Sequence, residues 1–292
     1  MNVIFQISGG IGKCVAATAM LSSIKEQYPD SQLVIVSGYP EVFLNNPFVY
    51  RSFAFGQVQY FYQDFIENKE FVIMANDPYL ATGHIKQNEH LIKTWTEMFN
   101  VPTPEKIVPQ IHLTEREKTF YGQKFNSDKP ILLLQTNGGA EQQGVKYSWA
   151  RDIPAYTVQN IIHEFKDAYN IVHIRREDQP AYDYTTTVTD NFRSLSVLIS
   201  LSRKRLFMDS FAQHVAAGLG MASTVLWIAN KPEVFGYDIH DNIVSNPFTV
   251  TPELKGAYLG KFNISGDLLE FPYNNESEIF DIDAIIKSIK KQ

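Results

Sequence analysis

The sequence predicts an α/β protein built from two doubly wound parallel sheets that face each other across a cleft. Two observations lead to this fold class: short apolar segments alternate with helical segments along the chain, and a proline-rich stretch divides the alternation into two series. The 292 residues allow two domains, because a domain commonly has roughly 100–200 residues. Pro102, Pro104 and Pro109 lie close together, so we place the boundary near residue 112, between domains 1–112 and 113–292.

The N-terminal series begins with an apolar strand at 3–7, which is followed by a glycine turn and a helical pattern over 14–27. Further strands are predicted at 33–36 and 71–75, and the apolar residues of 89–99 recur at helical spacing. This order of strand, turn and helix is typical of a parallel sheet that is covered by helices.

The C-terminal series repeats the alternation. Helices are predicted at 114–125, 154–169, 195–202 and 211–219, strands at 131–135, 171–174, 206–208 and 223–228, and a terminal helix at 281–291. Parallel sheets bind ligands at the carboxyl ends of their strands, where the loops into the helices meet. With two such sheets, the cleft between the domains is the expected site.

The composition excludes several classes of protein. Lys and Arg number 26 against 32 Asp and Glu, a formal charge of −6, so no overall field attracts nucleic acid. The basic run 203–205 is short, and we expect it to be the solvated end of a helix. The apolar stretch 221–229 is about half the roughly 18 residues of a membrane-spanning helix. A lone Cys14 and the lack of a recognisable export signal favour a cytoplasmic location.

A glycine-rich turn separates the first strand from the first helix. It lacks the glycine five residues before Gly12 and the Ser or Thr after the lysine that a P-loop requires, and Val15 replaces the third glycine of a dinucleotide fingerprint. What remains is a turn of Gly9, Gly10 and Gly12 at a helix N-terminus, where another group or an anion can approach the backbone closely. A purely structural tight turn is the alternative.

Two segments of the C-terminal half suit a diphosphate. The first is 209–214, where a buried strand turns into a helix of small residues whose first N–H groups are free to bind an anion. As alternatives, its polar residues are ordinary helix N-caps and its histidine fills a pocket. Its candidate residues are Asp209, Ser210, Phe211, Ala212 and His214.

The second segment is the glycine turn after strand 131–135, with a lysine on the loop that follows. Glycines after a strand permit close approach of a ligand, and a lysine can reach a diphosphate. The alternative is a surface lysine beside a core tryptophan, Trp149. The candidate residues here are Thr136, Asn137, Gly138, Gly139 and Lys146.

No motif indicates a metal site or a hydrolase. The seven His and one Cys show no zinc spacing, and the nucleophile motif G-x-S-x-G is absent. Asp281 and Asp283 form a carboxylate pair, but they open the terminal helix, so we predict that they cap it.

Together these segments resemble glycosyltransferase family nine, the heptosyltransferase-like enzymes of two-domain GT-B architecture. In the N-terminal half, the turn 10–12 and the segment 21–30 that leads into the second strand resemble the opening of that family. In the C-terminal half, Lys146 with Trp149 resembles its lysine–tryptophan motif, and 209–220 resembles its most characteristic signature. The resemblance covers most of the chain.

The resemblance implies transfer of a sugar from a nucleotide-diphosphate donor with inversion, without an obligatory metal or other cofactor. The C-terminal domain would hold the donor, with Lys146 and 209–214 on its diphosphate and 136–139 close by. Helix N–H groups and a lysine can stabilise the charge of the leaving diphosphate. The N-terminal domain would hold a glycan or another hydroxyl acceptor. A nucleic-acid acceptor and a peripheral contact with a membrane both stay open.

The sequence departs from the family pattern at the expected general base. The family usually has an aspartate directly after the glycine turn, whereas this chain has Lys13, which in its protonated form cannot accept a proton. Asp77, at the end of strand 71–75, is the first candidate for the base, and His84 or His90 comes next. Lys13 could alternatively orient a phosphate or an anionic acceptor.

This departure keeps two other functions open. One is a non-catalytic protein that binds a nucleotide sugar or a glycan on the same scaffold. The other is a different activity of the GT-B superfamily, such as sugar epimerisation. Release of a nucleoside diphosphate that depends on an acceptor distinguishes a transferase from the binding protein. Formation of an isomerised sugar without an acceptor indicates an epimerase.

Overall fold

The protein folds into two parallel sheets flanked by helices, as the alternation predicts. The computed structural model describes residues 1–138, 151–246, 273 and 275–292. The strands of the N-terminal sheet are β1 (Asn2–Ile7), β2 (Gln32–Ser37), β3 (Val49–Ala54) and β4 (Phe71–Met74), in the spatial order β3-β2-β1-β4. The accompanying helices are α1 (Ile11–Ala17), α2 (Leu21–Gln27), α3 (Phe61–Phe65), α4 (Thr82–Ile85) and α5 (Leu91–Phe99).

The described part of the C-terminal half forms a second, larger sheet. Its strands are β5 (Ile131–Gln135), β6 (Asn170–Ile174), β7 (Thr186–Val188), β8 (Lys204–Met208), β9 (Thr224–Trp227) and β10 (Asp241–Val244), in the order β10-β9-β8-β5-β6-β7. Its helices are α6 (Glu115–Gly122), α7 (Ala155–Phe165), α8 (Phe192–Leu201), α9 (Phe211–Gly218), α10 (Pro232–Phe235) and α11 (Ile282–Lys291). Because the strand pairs are parallel, the carboxyl ends lie together at one edge of each sheet.

Three strands, β3, β7 and β10, were not predicted from the sequence. All three lie at an edge of their sheet and are largely exposed or half-buried. Edge strands are commonly short and polar, so they lack the continuous apolar run that marks a central strand.

Alternation along β1 shows how both faces of the N-terminal sheet are covered. Val3 and Phe5 join the apolar cluster that contains the residues of α1 and α2. Ile4 points to the other face, where it clusters with Val34 of β2 and Phe65 of α3. A strand that is buried on both faces is typical of a parallel sheet.

The helix predicted over 14–27 is interrupted. α1 ends at Ala17, a 3₁₀ turn covers Thr18–Met20, and α2 follows. The Thr18 hydroxyl donates to the Val15 carbonyl oxygen at 2.6 Å and accepts from the Gln110 N–H at 2.8 Å. A threonine that bonds to its own helix backbone favours a bend. The same hydroxyl here anchors the segment that connects the two sheets.

Residues 100–114 form no helix or strand and connect the N-terminal half to the C-terminal half. Part of this segment lies directly on α9. A Cβ at Gly218 would come within 3.2 Å of the Pro109 carbonyl oxygen and 3.1 Å of the Ile111 side chain. The missing side chain of Gly218 therefore allows the close packing. The predicted boundary near residue 112 falls within this stretch and stays a prediction.

Within the described residues, two apolar clusters join the two halves. One of them packs Leu91 of α5 against β9 and α10. Val15 and Met20 of the N-terminal half belong to the same cluster as Phe207 and Val215 of the C-terminal half. Each fully buried apolar side chain of this size contributes about 1.5–3 kcal/mol. The two sheets are therefore held together by a shared core.

Helix α11 packs on the C-terminal sheet. Its buried residues Ile285 and Ile289 join the cluster that lines one face of that sheet. Asp281 caps the helix, since its carboxylate accepts from the Ala284 N–H at 3.2 Å. The predicted cap is confirmed for Asp281, whereas Asp283 lies in the first turn of the helix.

The expectation that the basic run 203–205 is solvated was wrong for two of its three residues. Arg203 is exposed, whereas Lys204 and Arg205 are buried. Lys204 Nζ donates to the Lys290 carbonyl oxygen at 2.8 Å, and Arg205 Nε donates to the Ala222 carbonyl oxygen at 2.7 Å. Carbonyl groups in the last turn of a helix lack intrahelical donors, and Lys204 supplies one to Lys290 in the last turn of α11.

Two kinds of feature are absent from the described residues. None of their helices combines the length and the apolar character that a membrane crossing requires. Nor do they contain a group of three or more His, Cys, Asp or Glu side chains arranged to hold a metal ion. Neither observation extends to residues 139–150, 247–272 or 274.

An ion pair holds α6 against α8. Arg193 Nε lies 2.7 Å from Glu117 Oε1, Nη2 lies 2.9 Å from Oε2, and the guanidinium also donates to the His112 carbonyl oxygen. Burial would raise the pKa of Glu117, but hydrogen bonds from Arg193 and Thr114 outweigh it and lower the pKa to about 2. The folded protein therefore stabilises the ionised carboxylate.

We expect Glu117→Gln to lower the free energy of unfolding by about 3 kcal/mol at pH 7, because it leaves the buried Arg193 guanidinium without its counter-charge. The pKa of Glu117 falls from 4.5 to about 2 on folding. The wild type therefore loses this contribution as the pH falls from about 4.5 towards 2, and the variant shows no such loss. Urea unfolding at several pH values measures both effects.

The matched control is Glu115→Gln on the same helix, because Glu115 is exposed and pairs with an exposed lysine. Its stability should stay within about 0.5 kcal/mol of the wild type. Identical stability of the two variants across this pH range would contradict the role assigned to Glu117.

Candidate functional site at the carboxyl ends of the two sheets

The loops at the carboxyl ends of the two sheets meet where α1 touches the start of α9. A Cβ at Gly12 would lie 3.3 Å from His214 Cδ2 and 3.5 Å from the backbone N and Cα of Phe211. Only a residue without a long side chain fits between the two helices. The turn after β1 and the turn after β8 therefore face each other, as the predicted cleft requires.

The glycine turn is shaped by contacts with protein groups. Gly9 adopts a φ of +104°, a conformation that favours glycine, and a Cβ there would lie 3.1 Å from Lys13 Cδ. Gly10 is the N-cap residue of α1, and a Cβ there would meet nothing within 4 Å. The backbone therefore favours glycine at Gly9, the helix contact excludes a long side chain at Gly12, and Gly10 is the position of the turn that stays open.

Lys13 is paired with Asp77, the carboxylate that the sequence suggests as the base. Lys13 Nζ lies 2.7 Å from Asp77 Oδ1 and 4.5 Å from the centroid of the Tyr79 ring. The lysine side chain is 4% exposed, whereas the aspartate side chain is 33% exposed. The pair therefore holds a partly exposed carboxylate beside the glycine turn.

Two donors hold the Asp77 carboxylate by the same oxygen. Besides Lys13, the Tyr79 N–H donates to Asp77 Oδ1 at 3.0 Å, and Asp77 is the N-cap of the 3₁₀ turn Pro78–Leu80. Within the described part of the chain, no group donates to Oδ2. The described residues thus orient one carboxylate oxygen and leave the other without a donor among them.

The two histidines suggested as further bases make contacts within the protein, His84 by stacking and His90 by hydrogen bonds. His84 is buried and stacks on Tyr79, with the ring centroids 4.6 Å apart and an interplanar angle of 17°. His90 is the N-cap of α5, where its Nδ1 accepts from the Ile92 N–H at 3.2 Å and its Nε2 lies 3.0 Å from the Gly236 carbonyl oxygen. Both ring nitrogens of His90 are therefore engaged, and one of these bonds joins the two halves.

Gln135, the last residue of β5, occupies part of the α9 N-terminus. Its Oε1 accepts from the Ala212 N–H at 3.3 Å, and its Nε2 donates to Ser210 Oγ at 3.2 Å. Ser210 is the N-cap residue of α9, but its side chain makes no capping bond. One N–H group that the sequence assigns to a diphosphate is thus bound within the protein. The sequence feature that could have indicated this role of Gln135 is its position as a polar residue at the end of an otherwise apolar strand.

Asp209 is buried at the end of β8. The Asn230 side-chain amide donates to Asp209 Oδ2. Burial raises the pKa of Asp209, and the Arg151 guanidinium together with the Asn230 hydrogen bond opposes the rise. Arg151 therefore adds positive charge to the C-terminal side of the site, and the sequence alone did not indicate it.

His214 belongs to a buried cluster of neutral polar groups. Its Nδ1 lies 2.7 Å from the Tyr237 hydroxyl oxygen. Burial, with smaller contributions from His90 and His240, lowers the pKa of His214 to about 3. The imidazole is therefore neutral at pH 7 and fills a pocket, as the alternative interpretation expects. Contact of His214 with a phosphate stays a prediction.

The loop after β5 lies against the start of α9. The Gly138 N–H donates to Asp152 Oδ1 at 3.0 Å. A Cβ at Gly138 would lie 3.0 Å from Met208 Sδ and 3.1 Å from Ser210 Oγ. Gly138 therefore allows this loop to approach the turn that precedes α9.

Two buried side chains complete the described part of that loop. Thr136 Oγ1 donates to Asn137 Oδ1 at 2.8 Å and lies 2.9 Å from His173 Nε2. Gly139 and Lys146, the other residues predicted here, lie outside the described residues. Their contact with a donor stays a prediction.

Neither a protein-family profile nor a curated protein sequence matches the chain, but solved structures do. The glycosyl transferase family 9 protein of Veillonella parvula DSM 2008 is 14% identical, with a TM-score of 0.69, over 99% of this chain and 96% of that one. The ADP-heptose LPS heptosyltransferase II of E. coli is 12% identical, with a TM-score of 0.65, over 100% and 99%. The E. coli heptosyltransferase WaaC with ADP is 10% identical, with a TM-score of 0.58, over 84% and 94%.

At these identities the likeness concerns the fold. The chain has the GT-B-like architecture of the family-nine glycosyltransferases, and the resemblance drawn from its motifs is confirmed at that level. The likeness extends over almost the whole chain, so the shared architecture includes both sheets.

We expect Gly12→Leu to push α1 away from α9 and to lower the free energy of unfolding by about 1–3 kcal/mol, because the new side chain overlaps His214 and the Phe211 backbone. Urea unfolding measures this loss. The matched control is Gly10→Leu, two residues earlier, where a Cβ has open space. If both variants unfold alike, the close helix contact is not what Gly12 provides.

Proposed function

We propose that the protein is an inverting glycosyltransferase that moves a sugar from a nucleotide-diphosphate donor to a hydroxyl group of a glycan or another acceptor. The observation that carries the proposal is the arrangement of the cleft. An oriented carboxylate lies on its N-terminal side, and a glycine loop with a helix N-terminus lies on its C-terminal side. Sugar transfer without a metal needs a base for the acceptor and stabilisation for the leaving diphosphate.

The C-terminal side suits the donor. The first turn of α9 presents backbone N–H groups, and the helix dipole favours an anion there. The WaaC structure of similar fold holds ADP, and the second E. coli enzyme is named for ADP-heptose. Both names support a nucleoside diphosphate as the leaving group. We assign to the donor side Thr136, Asn137, Gly138, Gly139, Lys146, Asp209, Ser210, Phe211, Ala212 and His214.

The N-terminal side suits the acceptor, with Asp77 as the general base. The acceptor hydroxyl donates a hydrogen bond to the free oxygen of Asp77. As the hydroxyl oxygen attacks the anomeric carbon, the bond from that carbon to the diphosphate oxygen breaks, and the proton passes to Asp77. The negative charge stays on the diphosphate, and attack opposite to the leaving group inverts the anomeric configuration.

Lys13 orients the Asp77 carboxylate in this mechanism. Its ammonium group is buried and lies 2.7 Å from Asp77 Oδ1, so a counter-charge is required at that place. The family resemblance implies a carboxylate at position 13 itself. Here the lysine occupies the position and holds a carboxylate from the loop after β4, so the function of the base is kept by a different residue.

A nucleoside diphosphate is expected to raise the melting temperature of the protein, because a ligand that binds only the folded state stabilises it. Lys146→Ala should weaken the binding by about tenfold, since a charge-assisted hydrogen bond is lost. Thermal shifts and calorimetry with ADP, UDP, GDP and CDP measure the two effects. Lys129→Ala, an exposed position before β5, is the control. No shift with any of the four nucleotides would contradict the proposal.

Asp77→Asn should lower kcat for acceptor-dependent release of the nucleoside diphosphate by about 10²–10⁴-fold, because an amide cannot take up the proton. Binding of the diphosphate alone should not change, since Asp77 lies on the acceptor side. Asp64→Asn, on exposed α3 surface, is the control. A wild-type rate in the Asp77 variant would show that the base lies elsewhere.

A second candidate function is non-catalytic binding of a nucleotide sugar or glycan. The specific observation that favours it is Lys13 in the place of the expected carboxylate. The same assay decides between the two functions. A wild-type protein that binds a nucleotide sugar but releases no diphosphate with any acceptor would be a binding protein.

A further inference from the structure

A buried histidine of the C-terminal sheet is connected by hydrogen bonds to the loop that follows β5. His173, in β6, is fully buried, and its Nε2 lies 2.9 Å from Thr136 Oγ1 at the carboxyl end of β5. Thr136 Oγ1 in turn donates to Asn137 Oδ1 at 2.8 Å. The three side chains form a continuous line of hydrogen bonds from the sheet to the loop.

The direction of these hydrogen bonds follows from counting hydrogens. Thr136 has one hydroxyl hydrogen and gives it to Asn137 Oδ1, so His173 supplies the hydrogen between Nε2 and Oγ1. Burial, with a smaller contribution from Arg175, lowers the pKa of His173 to about 4. The neutral ring therefore carries its N–H on Nε2 at pH 7.

The other ring nitrogen supports the same direction. His173 Nδ1 has no hydrogen-bond partner. A bare acceptor nitrogen in a buried place costs less than an N–H group without an acceptor, which folded proteins rarely contain. If both hydrogen bonds ran in the opposite direction, His173 would carry its hydrogen on Nδ1, and that N–H group would have no acceptor.

The consequence concerns the Asn137 side chain. Because Oδ1 is tied to Thr136, the amide is held from flipping, and its Nδ2 hydrogens are directed away from that bond. Asn137 is 3% exposed, and no described residue accepts from Nδ2. An amide group in such a place gains from meeting an acceptor on a ligand. Asn137 directly precedes Gly138, which lies against the turn before α9.

We propose that His173 is a positioning residue that acts through Thr136 to present the Asn137 amide N–H to an anionic oxygen of the donor diphosphate. This inference rests on the proposed function and adds the polarity of the contact, in which the loop donates and the ligand accepts. A flipped amide would present a carbonyl oxygen, which repels an anion.

The first test changes the polarity of Asn137 without changing its shape. Asn137→Asp replaces the donor by a carboxylate, so binding of ADP and of inorganic pyrophosphate should weaken by about 100-fold. Binding of adenosine, which lacks the anion, should not change. Asn170→Asp is the matched control, because Asn170 lies at the amino end of β6, and it should bind all three compounds like the wild type.

The second test removes the positioning bonds. His173→Phe and Thr136→Val should each weaken ADP binding by about tenfold. His173→Gln, which keeps an N–H donor towards Thr136, should restore binding to within about threefold of the wild type. Thr136→Val leaves the buried ring in place, so it tests the link even where His173→Phe destabilises the fold.

Calorimetry separates the possible results. Equal affinity of the wild type and Asn137→Asp for ADP overturns the inference alone, and so does a loss in His173→Gln as large as that in His173→Phe. A third result is that the wild type binds pyrophosphate, that Asn137→Asp does not, and that no attached nucleoside raises the affinity. This result overturns the proposed function but supports the inference. A wild type that binds neither pyrophosphate nor any nucleoside diphosphate overturns both.

Discussion

The contact between α1 and the start of α9 determines where every other part of the site lies. Gly12 leaves no room for a long side chain against His214 and the Phe211 backbone, and the apolar cluster beneath it contains residues of both halves. Since α1 follows β1 and α9 follows β8, this contact aligns the carboxyl ends of two separate sheets. A cleft with groups on both sides results from the packing of two helices.

The pair of Lys13 and Asp77 places a carboxylate beside the glycine turn although the turn itself carries a lysine. A buried ammonium group requires a counter-charge, and the loop after β4 supplies one at 2.7 Å. The carboxylate therefore reaches the glycine turn from 64 residues away instead of from the turn itself. The physical requirement for charge balance connects the lysine to the base that we propose.

On the C-terminal side, hydrogen bonds between buried groups preorganise the loops. Gln135 binds the first turn of α9, and Asn230 holds Asp209. His214, in turn, bonds to Tyr237. Buried polar groups are costly unless they are satisfied, so such bonds keep each loop in one arrangement. Loops held in this way would need little reorganisation in the sugar transfer that we propose.

The sequence by itself determined the fold class, the central strands, most helices and the glycine turn, because periodicity and turn residues report which faces are buried and where the chain reverses. It also placed Asp77 and Asn137 at strand ends. Only the tertiary structure decided that Lys13 pairs with Asp77, that Gln135 occupies a helix N-terminus, and that Lys204 is buried. Those contacts join residues far apart in the chain, and they depend on how the sheets and helices pack, which no local pattern records.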